Sequence, residues 1–161
     1  MTRVDISYVV QVLSQFMHKP KQSHMEAALR VVRYVKVEPG LGLLMPSESS
    51  RKLVTYCDSY WGGCLEYRRS VTGYTVKFGD ALISWKSKKQ ETVARSSTEA
   101  EFRAMAYTLA EITWLEGLYK ELGVNIKQPI QLFCDSKVAI QIAANPIFHR
   151  RTKHIDIDCY L

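Results

Sequence analysis

From Ser96 to Gly123 the chain carries a pattern that a long helix satisfies. Phe102, Met105, Leu109, Ile112, Leu115, Leu118 and Leu122 recur at helical spacing and mark an apolar stripe, and Gly123 supplies the stop. The expected helix runs from about Ser97 to Leu122. Two overlapping capping boxes open it, Ser96-Ser97-Thr98-Glu99 and Thr98-Glu99-Ala100-Glu101. With Ser96 as the cap, Glu99 does the structural work and Glu101 is free to point elsewhere. With Thr98 as the cap, Glu101 is itself the capping partner.

The segments around this helix set the fold class. Leu53–Asp58, Val71–Phe78 and Ala81–Trp85 read as strands, the last two joined by Gly79-Asp80, a pair suited to a two-residue hairpin turn. After the helix come a strand at Ile130–Cys134 and a helix at about Ser136–Ala144, ended by Asn145-Pro146. Antiparallel strands followed by a helical crossover and a parallel strand give an α/β fold with a sheet of mixed direction. If Ile130–Asp135 lies beside Leu53–Asp58, then Asp58 and Asp135 sit at the same carboxyl end of the sheet, where open α/β sheets bind ligands.

Upstream, residues 5–18 read as a helix with Asp5 as its N-cap and Pro20 beyond its end. A second helix opens with the capping box Ser23-His24-Met25-Glu26 and stops at Pro39-Gly40. Their apolar stripes cannot both be buried by the pair alone, which reads as a piece of a larger domain. His18 and His24 flank the loop between them and read as solvated surface. Pro46-Ser47-Glu48-Ser49-Ser50 is a linker or turn.

Composition narrows the class further. Hydrophobic residues make up 47%, enough for a buried core. A net charge of +6 favours a polyanionic partner. The four cysteines form no CxxC pair, against a zinc ribbon or a thioredoxin-type site. Cys57 and Cys134 fall in strand-like runs and read as buried free thiols of an intracellular, reducing compartment. No apolar run has the length of a membrane span and no charged-then-apolar leader opens the chain, so a soluble chain without a membrane partner is expected.

Three acids are the candidates for chemistry. Asp58 and Asp135 share a local pattern, Tyr56-Cys57-Asp58-Ser59 and Phe133-Cys134-Asp135-Ser136. Together with Glu101 they offer carboxylates from two strand ends and a crossover helix, the donor set that two Mg²⁺ ions use in phosphodiester cleavage. Each has a plainer role open to it: Asp58 as a strand end, Asp135 as the N-cap of the next helix, Glu101 in its capping box. Lys86-Ser87-Lys88-Lys89-Gln90 beside Trp85 is either a phosphate-tracking patch or a solvated loop. Phe148-His149-Arg150-Arg151-Thr152-Lys153-His154 is a basic stretch suited to nucleic acid. A zinc site from His149, His154 and Cys159 has the ligand types but no familiar spacing. No Gly-rich phosphate loop or nucleophile elbow is present in the sequence.

Several motifs together resemble the end of a copia-type LTR-retrotransposon polyprotein. They are Leu13-Ser14-Gln15-Phe16-Met17, Arg68-Arg69-Ser70-Val71-Thr72-Gly73-Tyr74, Ile83-Ser84-Trp85-Lys86-Ser87-Lys88-Lys89-Gln90, Ser96-Ser97-Thr98-Glu99-Ala100-Glu101-Phe102 and Arg151-Thr152-Lys153-His154-Ile155-Asp156. The resemblance implies that residues 1–46 are the C-terminal helices of the reverse transcriptase, a partner within the same polyprotein. It implies that residues 47–161 are a ribonuclease H-like domain, which cuts the RNA strand of an RNA–DNA hybrid. Asp58, Glu101 and Asp135 then match the first three metal-binding carboxylates, with Mg²⁺, or Mn²⁺ in its place, as the cofactor in a two-metal site. Arg68, Arg69, Lys86, Lys88 and Lys89 are expected to contact the hybrid, as are Arg95, Arg150, Arg151 and Lys153.

The sequence departs from the family's pattern at several points. Asp58-Ser59-Tyr60-Trp61 stands where the family has Asp-Ala-Asp-Trp, Arg3-Val4-Asp5 where it has Arg-Pro-Asp, and Lys36-Val37-Glu38-Pro39-Gly40 where it has Lys-Gly-Thr-Pro-Gly. The family's fourth carboxylate belongs to an Ala-Asp-x-Leu-Thr-Lys-like segment beyond Thr152–Asp156, and the 161 residues hold none, so a domain truncated at its C-terminus is expected. Asp156 and Asp158 are not assigned in its place. The alternative function is that of a catalytically inactive retroelement relic with at most nucleic-acid binding. An integrase-like strand transferase fits less well, because its third acid comes from a late helix.

Overall fold

The computed structural model describes residues 3–43, 45–46, 50–64 and 66–144. The chain divides into two compact units, Met1–Leu44 and Met45–Leu161. In the first, α1 spans Ser7–Ser14 and α2 spans Gln22–Val37. Helix α1 is shorter than residues 5–18 because Asp5 does not cap it. The Asp5 carboxylate is held instead by Arg3 at 2.7 Å, and Arg3 Nη1 also donates to the carbonyl of Glu38 at 2.9 Å. A bidentate guanidinium is a stronger partner for a carboxylate than helix amides are. Beyond Ser14 the amides of Phe16, Met17 and Lys19 bond three residues back, a tighter winding that leads into Pro20.

Helix α2 begins ahead of the expected Ser23–Glu26 box. The amide of Lys21 donates to Nδ1 of His24 at 3.2 Å, so an imidazole takes the part expected of Glu26. The His24 ring is also stacked on Phe16 with centroids 4.1 Å apart, which corrects its reading as solvated surface; His18 is exposed, as expected.

The second unit contains β1 (Lys52–Tyr60), β2 (Val71–Phe78), β3 (Ala81–Lys89), α3 (Ser97–Glu121), β4 (Lys127–Phe133) and α4 (Lys137–Ala144). Among the described residues the sheet order is β3-β2-β1-β4, with β1 antiparallel to β2 and parallel to β4. This is an α/β unit with a mixed sheet. The β2–β3 hairpin turns on Gly79, whose φ of +58° places glycine at the first central position, as a type II′ turn requires. Strand β3 runs four residues past Trp85: Lys86, Ser87, Lys88 and Lys89 pair with Tyr74, Gly73, Thr72 and Val71. The basic segment is therefore an edge strand and not a loop. Lysines are common on such edges, where they discourage pairing with another chain. Strand β4 likewise starts ahead of Ile130, through Pro129, which the outer strand of the sheet among the described residues tolerates.

Strand β1 alternates strictly: Leu53, Thr55, Cys57 and Ser59 are buried, while Lys52, Tyr56, Asp58 and Tyr60 are exposed. Leu53 and Cys57 join Tyr74, Val76 and Leu115 of α3 in the core, so the buried face of β1 is the face α3 covers. Helix α3 buries Phe102, Ile112 and Leu115 of the expected stripe together with Ala100, Ala104 and Thr108, and leaves Leu109 56% exposed. Leu122, 67% exposed, shares the face of buried Ala104 and lies just past the end of the helix. Three small side chains four residues apart give the helix room against the sheet. The helix ends as expected, with the amides of Gly123 and Val124 reaching back to the carbonyls of Lys120 and Tyr119.

Candidate metal centre

Strands β1 and β4 place the two aspartates. Tyr56 lies beside Phe133 in the parallel ladder, so the chains reach Asp58 and Asp135 two residues further on, at the same sheet end. Ser136 caps α4 by accepting from the amide of Ala139 at 3.2 Å, which releases Asp135 from that duty.

Helix α3 supplies the third acid. Ser96 is its N-cap, with Oγ accepting from the amide of Glu99 at 3.1 Å. The carboxylate of Glu99 accepts from the amide of Arg95 at 2.8 Å and pairs with Arg103 at 2.7 Å. Two residues on, the helix has turned by about 200°, and Glu101 faces the sheet end. Of the two possible caps Ser96 is the one used, with Glu99 reaching back one residue further, to the amide of Arg95.

The amide of Ser59 links the carboxylates. It donates to Asp58 Oδ1 at 2.7 Å and to Glu101 Oε1 at 3.2 Å. On the other side, the Cys134 thiol donates to Glu101 Oε2 at 3.9 Å, and oxygens of Glu101 and Asp135 lie with the Cys134 sulfur all within 4.8 Å of one another. Glu101 is 8% exposed, whereas Asp58 and Asp135 are exposed. Burial, then the negative charges of Asp58 and Asp135, push the Glu101 carboxyl up to about 7 against the pull of the Ser59 amide. Among the described residues no ion pair neutralises any of the three acids.

Crowded, uncompensated carboxylates of this kind fit a divalent cation. Ligands on opposite sides of Mg²⁺ stand ~4.2 Å apart, and oxygens of Glu101 and Asp135 lie within 4.8 Å of each other, close to that spacing; Asp58 lies outside this group and joins it through the Ser59 amide. The donor set is hard oxygen, as Mg²⁺ prefers, with one thiol at its margin. That thiol was not singled out as a site residue in the sequence. The motif Cys-Asp was visible, but strand alternation alone points Cys134 toward the core. Burial pushes Cys57 up to about 12, and raises Cys134 as well.

The basic residues fall into separate groups. Tyr67 is flanked by Lys89 Nζ at 5.3 Å and by the Arg69 guanidinium at 6.0 Å from its ring centre, which joins the β1–β2 connection to strand β3. Lys86 stands 6.0 Å from the ring of Tyr74, and Lys88 and Arg68 are exposed. Arg95 is exposed just before the α3 cap. Gln90 is buried and structural, donating to Thr72 Oγ1 and the Ala100 carbonyl, each at 3.0 Å. Arg150, Arg151 and Lys153, together with His149, His154 and Cys159, lie outside the described residues.

A mixed α/β sheet with three acids gathered at one end of two parallel strands defines a domain with a candidate divalent-cation centre. The chain belongs to the retrovirus-related Pol polyproteins of copia-type transposons. It is 45% identical, over 98% of its length, to the Pol polyprotein from transposon RE1 of Arabidopsis thaliana, of which it spans 11%. It is 40% identical, over 97% of its length, to that from transposon TNT 1-94 of Nicotiana tabacum, of which it spans 12%. Over 71% of its length it is 44% identical to secreted RxLR effector protein 161 of Plasmopara viticola, spanning 80% of that protein. No family model and no solved structure matches the chain. Among the described residues no helix is long and apolar enough to cross a membrane.

Proposed function

We propose that residues 47–161 form a ribonuclease H-type domain that cleaves the RNA strand of an RNA–DNA hybrid, with residues 1–46 the C-terminal helices of the reverse transcriptase part. The observation that carries this reading is the place of Glu101 between two aspartates: it shares the Ser59 amide with Asp58, an oxygen of Asp135 lies within 4.8 Å of one of its own, and burial with these two neighbours pushes its carboxyl up to about 7. Mg²⁺, or Mn²⁺ in its place, would supply an activated water and charge stabilisation of the departing oxygen. The three carboxylates would hold it, and the Ser59 amide fixes the orientation of two of them.

The basic strand supports a polyanionic substrate. Asp58 pairs with Gly73 and Gly73 with Ser87, so Ser87 shares the face of Asp58, while Lys86 and Lys88 beside it belong to the opposite face, the one α3 covers. Lysines there can hold phosphates along the substrate backbone away from the scissile one.

The test is Mg²⁺-dependent cleavage of an end-labelled hybrid by the purified chain, with single-stranded RNA and duplex DNA as controls. Asp58→Asn, Glu101→Gln and Asp135→Asn should each lower the rate by at least ~100-fold, beyond the 10–100-fold typical of changes around the ligands. Hybrid cleavage that persists in all three variants refutes the site. Salt-sensitive hybrid binding with no cleavage in Mg²⁺ or Mn²⁺ returns the inactive-relic alternative.

A further inference from the structure

The carboxylate cluster contains one donor that a magnesium site does not need. Cys134 immediately precedes Asp135, and its sulfur stands 3.9 Å from Glu101 Oε2. A thiolate and a carboxylate oxygen bound to one tetrahedral Zn²⁺ are ~3.6 Å apart, from bond lengths of ~2.3 and ~2.1 Å. That pair is thus already within a few tenths of an ångström of what a soft cation requires, and an oxygen of the exposed Asp135 lies within 4.8 Å of both.

A second observation concerns Ser59. It is 8% exposed, and its hydroxyl makes no hydrogen bond among the described residues. The side chain lies on the face of β1 that α3 covers, and its own amide bonds the Glu101 carboxylate. A buried hydroxyl without a protein partner, on the residue whose amide holds Glu101, is satisfied by a polar occupant such as a cation's water ligand.

We propose that Glu101, Cys134 and Asp135 form a binding site for a thiophilic divalent cation, Zn²⁺ or Cd²⁺, which overlaps the hard-cation site and excludes it. The inference rests for this consequence on the reading of Glu101 and Asp135 as ligands of a hard cation. Binding replaces the Cys134 S–H bond with a sulfur–metal bond, and the proton passes to solvent with no change of oxidation state. Three protein donors leave one tetrahedral position for water. Thiolate favours Zn²⁺ and Cd²⁺ over Mg²⁺, so a low concentration of soft ion competes with a large excess of hard ion.

The test uses the full chain carrying Cys64→Ser and Cys159→Ser, titrated with CdCl₂ and followed by the thiolate-to-cadmium charge-transfer absorption. One equivalent should develop the band. Cys134→Ser should abolish it, Cys57→Ser should retain it, and Asp135→Asn should weaken cadmium binding tenfold or more. Millimolar Mg²⁺ should raise the apparent cadmium Kd. Circular dichroism checks that each variant folds, and cadmium-113 NMR of the unsubstituted chain distinguishes a one-sulfur site from an all-oxygen one without mutation. A band that survives Cys134→Ser, a cadmium affinity unmoved by Asp135→Asn, or an all-oxygen NMR signal overturns the proposal. Hybrid cleavage without the band overturns this inference alone. A band with no cleavage in any hard cation overturns the nuclease reading and leaves the soft-cation site.

Discussion

Glu101→Gln should stabilise the protein in the absence of metal while removing the hybrid cleavage proposed above. The carboxyl is raised from its ordinary 4.5 to about 7, by burial first and by Asp58 and Asp135 after it. At about 1.36 kcal/mol per pH unit, the ionised form is disfavoured by ~3 kcal/mol in the native state. Glutamine has the shape of the protonated acid, still accepts from the Ser59 amide, and carries no charge to be buried. The native carboxyl holds its proton more tightly than the unfolded one, so native stability falls as pH rises from 4.5 through about 7. The full contribution is present below the unfolded value and lost above the folded one. The variant therefore gains ~2–3 kcal/mol over the parent at pH 8 and less than ~1 kcal/mol at pH 5. Urea unfolding in chelator, followed by tryptophan fluorescence, measures this, because Trp61, Trp85 and Trp114 all fall in the Met45–Leu161 unit. A variant no more stable than the parent at pH 8, or a gap equal at both pH values, would refute the reasoning.

The cap of α3 should be sensitive at one residue only: Ser96→Ala costs ~1 kcal/mol in urea unfolding, whereas Ser97→Ala stays within about 0.5 kcal/mol. The helix rotation is checked the same way, since Ile112→Ala should cost ~2–5 kcal/mol and the exposed Leu109→Ala less than about 0.5 kcal/mol. For the basic strand, Lys86→Gln and Lys88→Gln should each weaken hybrid binding. Each should flatten the dependence of log affinity on log salt by ~0.7–0.9 in fluorescence anisotropy; an unchanged slope would remove that lysine from the interface.

Periodicity and turn chemistry carry most of the second unit's architecture. Gly79-Asp80 locates a hairpin, Gly123 a helix end, and the repeated Cys-Asp-Ser pattern two strand ends that the parallel ladder then sets side by side. Local signals fail where a longer-range partner wins. Arg3 takes Asp5 away from a helix end, and His24 caps α2 from a position where Glu26 was available. Lys86–Lys89 has no apolar alternation to mark a strand, and only the ladder with β2 makes it one. Cys134 is hidden for a related reason, because its proximity to Glu101 depends on how α3 rolls against the sheet.

That roll is where fold and site meet. The helix buries Phe102, Ile112 and Leu115 of its apolar stripe together with Ala100, Ala104 and Thr108, and leaves Leu109 exposed; Leu118 and Leu122 share the face of Ala100 and Ala104, eighteen residues earlier, and are exposed at the end of the helix. The face chosen leaves Leu109 exposed, forgoing burial worth ~1.5–3 kcal/mol, and inserts the carboxylate of Glu101 among other acids. Small residues make the arrangement sterically possible, since bulky ones at 100, 104 and 108 would hold the helix away from β1. Neither change helps a metal-free fold. Under the proposed function a cation held at the sheet end would offset both, because a ligand that binds only the native state adds its binding free energy to stability. The same roll thus explains why Glu101→Gln should stabilise the metal-free chain at pH 8, and why millimolar Mg²⁺ should narrow that difference.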